Sequence, residues 1–266
     1  MRPLRTRLRS AALTLAAILA AAALSAASRP APAAAPGETL KGTVTAVTDG
    51  DTIRVRLAGR GSERVRLIGI DSQELDDARE RVRLMAFLAK RFAFTRLYRA
   101  QVELLPGPEE RDSYGRLLAF VRLPDGEVFN VTLVREGYAF AYLKFPFDET
   151  LRKELKAAET EARLNGRGLW GREPYPVIDA ADAGRRVGGL LTVRFRCLRS
   201  FRRGGFRILE ADGAAFEAAI PLEVYRSLPG PLDLEGRTIE ASGLIELYQG
   251  RPQIMIGVPL QLKRID

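Results

Sequence analysis

Histidine is absent from all 266 residues, and that removes imidazole from every scheme: no Ser-His-Asp or Cys-His triad, no imidazole general base, none of the usual zinc sites. Proton transfer falls to a carboxylate, lysine, tyrosine or water. Cysteine is nearly absent too. The single one, Cys197, excludes an internal disulfide, and none stands near the N-terminus to carry a lipid. Cys197 alternates with Val193 and Phe195, opposite Arg194 and Arg196, which assigns it to core packing. Only one long uncharged stretch occurs, over 11–27, rich in Ala and Leu. Arg2, Arg5, Arg7 and Arg9 precede it and Ser28-Arg29-Pro30 follows, the layout of a signal peptide over 1–27 that leads to export, periplasmic or secreted. A retained anchor is the alternative, although the stretch is at the short limit for crossing a bilayer. Residues 28–37 read as an Ala/Pro linker.

The formal charge is +9, but the leader's four arginines account for four of those, which leaves +5 on the remainder. From Gly37 to Tyr175 there are 24 basic and 22 acidic residues, and from Pro176 onward 13 against 11. Overall charge is therefore a weak pointer to nucleic acid, and any such case rests on where the arginines sit.

Residues 49–74 read DGDTIRVRLAGRGSERVRLIGIDSQE. Two runs of alternating residues, 51–57 and 64–70, predict a hairpin through Gly59-Arg60-Gly61-Ser62 with Asp51 and Asp71 at the same end of the sheet. Carboxylates gathered there, with Arg66 and Glu74 close by, need a cation between them, and the pattern reads as a metal-and-phosphate site.

A strand over 40–47 precedes this stretch. A helix is predicted over 76–98, with Asp76 or Asp77 as N-cap and a face carrying Arg79, Arg83, Lys90 and Arg91 that is either solvated or a phosphate-binding stripe. Strands follow over 100–105 and 116–123, then a helix capped by Asn130, an aromatic connector over 138–142, a helix over 148–164, and Trp170 as a plug at the domain base. The expectation is a mainly β (α+β) chain. A five-stranded OB-type β-barrel with three helices spans 38–173, a linker spans 174–186, and a second, smaller OB-like β domain spans 187–266. In the second unit, the basic and aromatic stretch 200–205 serves equally as a nucleic-acid contact or a solvated hairpin tip.

Thr48-Asp49-Gly50-Asp51-Thr52, the segment from Val65 through Arg66 and Asp71 to Glu74, and Asp112-Ser113-Tyr114-Gly115-Arg116 together resemble the thermonuclease (staphylococcal nuclease-like) family over about 38–171. The resemblance implies an endonuclease hydrolysing phosphodiester bonds of DNA and RNA to 3′-phosphates, single-stranded or frayed regions preferred, with calcium as cofactor. It implies Asp51, Asp71 and the Ser72 carbonyl as calcium ligands, with Asp49 acting through water. Arg66, Glu74 and Arg116 become the catalytic residues, two phosphate clamps and a base, and Tyr114 and Tyr142 face the nucleotide. Gln73 departs from the family's usual proline, and Ser72 from its threonine. A monomer is expected, with no membrane contact beyond the leader. The competing expectation is a catalytically silent OB-fold module that binds nucleic acid, or a second barrel that docks onto an envelope protein.

Overall fold

The computed structural model describes residues 39–171, 175–229 and 233–266, so the leader and the linker over 28–37 lie outside the described residues. β1 (Leu40–Val47), β2 (Thr52–Leu57) and β3 (Gly61–Leu67) send Val44, Ile53, Val55, Val65 and Leu67 inward, as their alternation requires. After them come β4 (Ile70–Ser72), α1 (Glu80–Leu97), β5 (Gln101–Arg111) and β6 (Leu117–Arg122). Strands β1-β2-β3-β6-β5 close a five-stranded barrel in which β3 and β6, the third and fifth barrel strands, run parallel. The expected OB-type α+β architecture is present. Its remaining parts are α2 (Phe129–Arg135), β7 (Ala139–Ala141) and α3 (Glu149–Leu164).

Three local expectations are corrected. Asp71 does not end the hairpin strand. Gly69, at φ 77°, breaks the run after β3, and β4 leaves the barrel to pair antiparallel with β7, Asp71 opposite Phe140. A side chain is strained at that φ, and a Cβ there would also stand 2.7 Å from Leu155 of α3. The first helix starts at Glu80 with Arg79 as its N-cap, because Asp77 turns its carboxylate onto the backbone and guanidinium of Arg79 instead of capping. Asn130 is not a cap either. It lies fully buried inside α2, where its amide accepts from the Val121 N–H and donates to the Ile68 carbonyl, clipping the helix to the barrel. Trp170 is half-buried in a 3-10 turn, with Phe140 edge-on at 5.4 Å and the Arg163 guanidinium 3.9 Å over its ring. It backs β7.

The segment expected as a linker over 174–186 is structured from Val177 onward. β8 (Val177–Asp179) pairs parallel with β9 (Leu190–Arg203), and a 3-10 helix, Ala180–Arg186, lies between them. The second unit continues with β10 (Phe206–Ala211), β11 (Glu217–Pro221), α4 (Leu222–Ser227), β12 (Thr238–Tyr248), β13 (Arg251–Met255) and β14 (Leu262–Arg264). Pairing of β12 with β9 closes β9-β10-β11-β13-β12 into a second ring, again with third and fifth strands parallel. Both barrels therefore share one topology. Cys197 lies in the second core beside Phe195 and Phe216, and burial pushes its thiol up to about 11, which leaves it unreactive. The stretch 200–205 is a continuation of β9, with only Gly204 and Gly205 left to turn. Of its two arginines, Arg203 pairs with buried Glu217, while Arg202 donates to the Gly204 carbonyl; Arg199, just before the stretch, pairs with Glu210.

The charged face of α1 is partly an interface. Arg91 makes a bidentate pair with Glu246 of β12, Glu80 accepts from the Leu260 N–H at 3.0 Å, and Phe87 packs so close to Gly257 that a Cβ there would stand 2.4 Å from its ring. Leu244 and Val258 from the second barrel belong to the first barrel's core. Glu246 retains only 7% side-chain exposure, so removing its partner strands a buried charge. Arg91→Met should cost about 3 kcal/mol and lower the melting temperature by roughly 6–12 °C in thermal unfolding. Most of that loss should return in Arg91→Met/Glu246→Leu, and equal melting of wild type and Arg91→Met would contradict the assignment.

Candidate nuclease site

The carboxylate cluster sits where β2, β3 and β4 meet. Asp49-Gly50 turns the chain between β1 and β2, and the Asp49 carboxylate accepts from the Asp51 N–H at 3.0 Å. Gly50 is packed against Ala89 and Ser72, and a Cβ on it would lie 2.8 Å from both, so only glycine lets α1 and β4 approach this turn. Asp51 is buried. Its Oδ2 accepts from the Ser72 N–H at 2.8 Å and lies 3.3 Å from the Arg66 guanidinium, while its Oδ1 takes the Thr52 hydroxyl at 3.2 Å.

Arg66 is the hub. One nitrogen donates to the Leu67 and Ile70 carbonyls, spanning the break at Gly69, and the other lies 3.2 Å from Asp71 and 3.3 Å from Asp51. The cation required between two carboxylates is thus supplied in part by the protein. Arg116 comes from the adjacent strand, just before Leu117 of β6, which lies opposite Val65 of β3. Its Nε is 2.7 Å from Asp112, and a second nitrogen donates to the Thr52 hydroxyl at 3.3 Å. Thr52 therefore joins the two halves of the site, donating to Asp51 and accepting from Arg116. Residues 112–115 form a tight turn, the Gly115 N–H bonding to the Asp112 carbonyl, which is why Arg116 can be held by Asp112.

Tyr114 stands 73% exposed beside Arg116, whose guanidinium lies 5.4 Å from its ring centre. Tyr142 follows β7 directly, its N–H bonded to the Gly69 carbonyl, and packs edge-on against exposed Phe145. Glu74 lies beyond β4, exposed, on the loop before α1. Asp51, Asp71, Ser72, Arg66 and Arg116 are thus brought into one hydrogen-bonded group. Thr52 and Asp112, as positioning residues, and Phe145, as a second exposed ring, went unassigned in the sequence; only the Asp112-to-Gly115 turn signature could have flagged one of them.

The titration behaviour reflects crowding. Burial, then the neighbouring Asp51 charge, raises the Asp49 carboxyl to about 6. Burial raises Asp71, with Asp51 adding to the shift and Arg66 opposing it. Partial desolvation raises Glu74, helped by Asp51, Asp76 and Asp71. Burial acts against ionised Asp112 as well, but hydrogen bonds from the Arg116 and Tyr114 backbone and the Arg116 guanidinium prevail and hold it low.

Ionised Asp49 is thus a burden to the folded state. Because its folded value lies above the unfolded one, that burden is full above pH about 6 and vanishes as pH falls below the ordinary carboxylate value of 3.8. Asp49→Asn keeps an oxygen for the Asp51 N–H, so in chelator it should raise the urea midpoint at neutral pH and lose that advantage in acid. An unchanged or lower midpoint at neutral pH would contradict this reading.

The donors present are oxygens only, rich in negative charge and free of nitrogen or sulfur, and they fit a hard divalent cation. Among the described residues no three acidic, imidazole or thiol side chains are gathered as a closed metal cage. A cation held by Asp51 and Asp71 would need a backbone carbonyl and waters to complete its shell.

A closed barrel with two arginines and a carboxylate cluster at its mouth defines a phosphodiester hydrolase. Residues 64–172 match the family described as staphylococcal nuclease homologue, a span that holds every site residue named except those before β3. The thermonuclease of Staphylococcus intermedius is 38% identical over 129 residues, 48% of this chain and 75% of that protein. An uncharacterized endonuclease of Escherichia coli O157:H7 is 35% identical over 140 residues, 52% and 82% respectively. Endonuclease YhcR of Bacillus subtilis (strain 168) is 34% identical over 158 residues, 57% of this chain but only 13% of its own length. The chain belongs to the staphylococcal nuclease family, and its class is that of a nuclease.

Proposed function

We propose that the protein is an exported, calcium-dependent endonuclease that cleaves DNA and RNA to 3′-phosphates, preferring single-stranded or frayed regions. The observation that carries this reading is the hydrogen-bonded chain from Arg66 through Asp51 and Thr52 to Arg116, which sets two guanidinium forks on one carboxylate cluster. Forks of this kind match phosphate oxygens and strengthen as charge builds in a pentacoordinate transition state. Asp51, Asp71 and the Ser72 carbonyl would hold the calcium, with Asp49 acting through water. Bound there, the cation neutralises phosphate charge and eases ionisation of water. Arg66 and Arg116 grip the scissile phosphate, and their anchors, Asp71 and Asp51 for one and Asp112 for the other, fix their spacing. Glu74, whose carboxyl desolvation raises above its ordinary value, takes the proton of the attacking water in its ionised form. Tyr114 and Tyr142 offer exposed rings to the sugar and base on either side.

Circular single-stranded DNA, which has no ends, separates endonucleolytic cleavage from trimming. The mature protein should linearise it with calcium and fail in chelator, and Glu74→Gln should lower kcat by about 10²–10⁴-fold. Full activity in chelator would overturn the cation. A folded protein that retains the DNA uncut in every condition would instead be a binding module. Export is supported by the leader layout alone, and a mature chain starting at Ser28 outside the cytoplasm is the result that tests it.

A further inference from the structure

On the outer face of the β2–β3 hairpin, the register stacks three rungs leading away from the site: Thr52 opposite Arg66, Arg54 opposite Arg64, and Arg56 opposite Ser62. Arg54, Arg56 and Arg64 are exposed, and among the described residues no carboxylate pairs with any of them. Like charges directly opposite one another destabilise a sheet, so Arg54 against Arg64 is unfavourable unless an anion lies across them. The neighbouring strand offers none, since it sets Thr43 opposite Arg56 and Ala46 opposite Arg54. Several arginines elsewhere on the molecule do have carboxylate partners, Arg60 with Glu110, Arg111 with Glu63 and Arg194 with Glu240 among them. Arg64 is also tied to the site, donating at 2.9 Å to the carbonyl of Tyr114 within the turn that holds Arg116. Successive rungs are about 6.6 Å apart, two residues along a strand.

We infer that this hairpin face is an extended track for the phosphate backbone of a single-stranded substrate, Arg64 and Arg54 taking the phosphate beyond the scissile one and Arg56 the next. The inference rests on the nuclease reading of the Arg66–Arg116 site. The track would favour long, flexible chains over short ones by adding charge contacts remote from the reaction, while its threonine and serine neighbours read no base. It makes no demand on sequence.

The test compares the full protein with Arg54→Ala/Arg56→Ala, two exposed positions outside the hydrogen-bonded site, on a long single-stranded oligonucleotide and on a dinucleotide. KM for the long substrate should rise about tenfold with kcat nearly constant, and the dinucleotide should be cut as before. The salt slope of log(kcat/KM) on the long substrate should fall by about 0.7 to 1.4, at about 0.7 for each phosphate contact on a single strand, since Arg64 remains on the nearer phosphate. Arg54→Lys/Arg56→Lys should restore most of that slope. Equal changes on both substrates, or an unchanged salt slope, overturn the track. If the wild type cleaves neither substrate, the nuclease reading fails. Fluorescence anisotropy of the labelled oligonucleotide in chelator then decides the track by itself: tenfold weaker binding by the double variant upholds it, and equal affinity sinks it.

Discussion

Arg66→Lys should fold normally and lose about 10³-fold in kcat on single-stranded DNA with calcium, nearly as much as Arg66→Ala. A lysine keeps positive charge between Asp51 and Asp71 but is a point charge on a flexible stem. It cannot bond the Leu67 and Ile70 carbonyls and both carboxylates together, as the planar fork does. The alanine variant suffers a second injury, since the two carboxylates then face one another unscreened and the turn at Gly69 loses its clasp. Melting temperature separates the two effects: alanine should lower it, and lysine should leave it within a few degrees. A lysine variant retaining a tenth or more of wild-type kcat would show that Arg66 organises the turn and does not clamp the phosphate.

Deleting residues 187–266 should leave a chain that does not fold stably, and it is the largest stability effect expected. The first barrel's core includes Leu244 and Val258 from the deleted part, and burying two such side chains is worth about 3–6 kcal/mol in all. Phe87 and Arg91 would be uncovered as well, the latter without Glu246. Against a typical total of about 5–15 kcal/mol, the loss should drop the melting temperature by at least about 10 °C or abolish the transition in circular dichroism. A truncated chain melting like the full one would show that the second barrel is an appendage. If the deletion behaves as expected, a raised KM in it says nothing about substrate binding by that barrel.

Much of the site was legible because its residues are charged and lie in short segments: Asp51, Arg66 and Asp71 could be picked out before any strand was paired, and Arg116 through the Asp112-to-Arg116 motif of the family resemblance. What connects them was not legible. A threonine hydroxyl between a carboxylate and a guanidinium leaves no trace in an alternating strand, and Thr52 fits the β2 pattern with or without that role. Asn130 looked like a cap because caps and buried clips use the same amide, and only the depth of α2 tells them apart. Both barrels followed from alternation and turn residues, whereas β4, β7 and β8 are three-residue strands, too short for any period to register. The docking of α1 on the second barrel was hidden for another reason. Arg91 and Glu246 are 155 residues apart, and an arginine on a polar helix face has the same appearance whether water or a carboxylate awaits it.

The ribbon of β4 and β7 carries a consequence for heat tolerance. Three residues on each side join the half of the site bearing Asp71 to the half bearing Tyr142, and neither strand belongs to a barrel. Regions with few backbone bonds open at lower free energy than the core. Ile70 and Ala139 anchor the ribbon in the first core, but its backbone bonds are few. Activity on single-stranded DNA should therefore be lost some degrees below the circular-dichroism transition and return on cooling; coincident losses would contradict this.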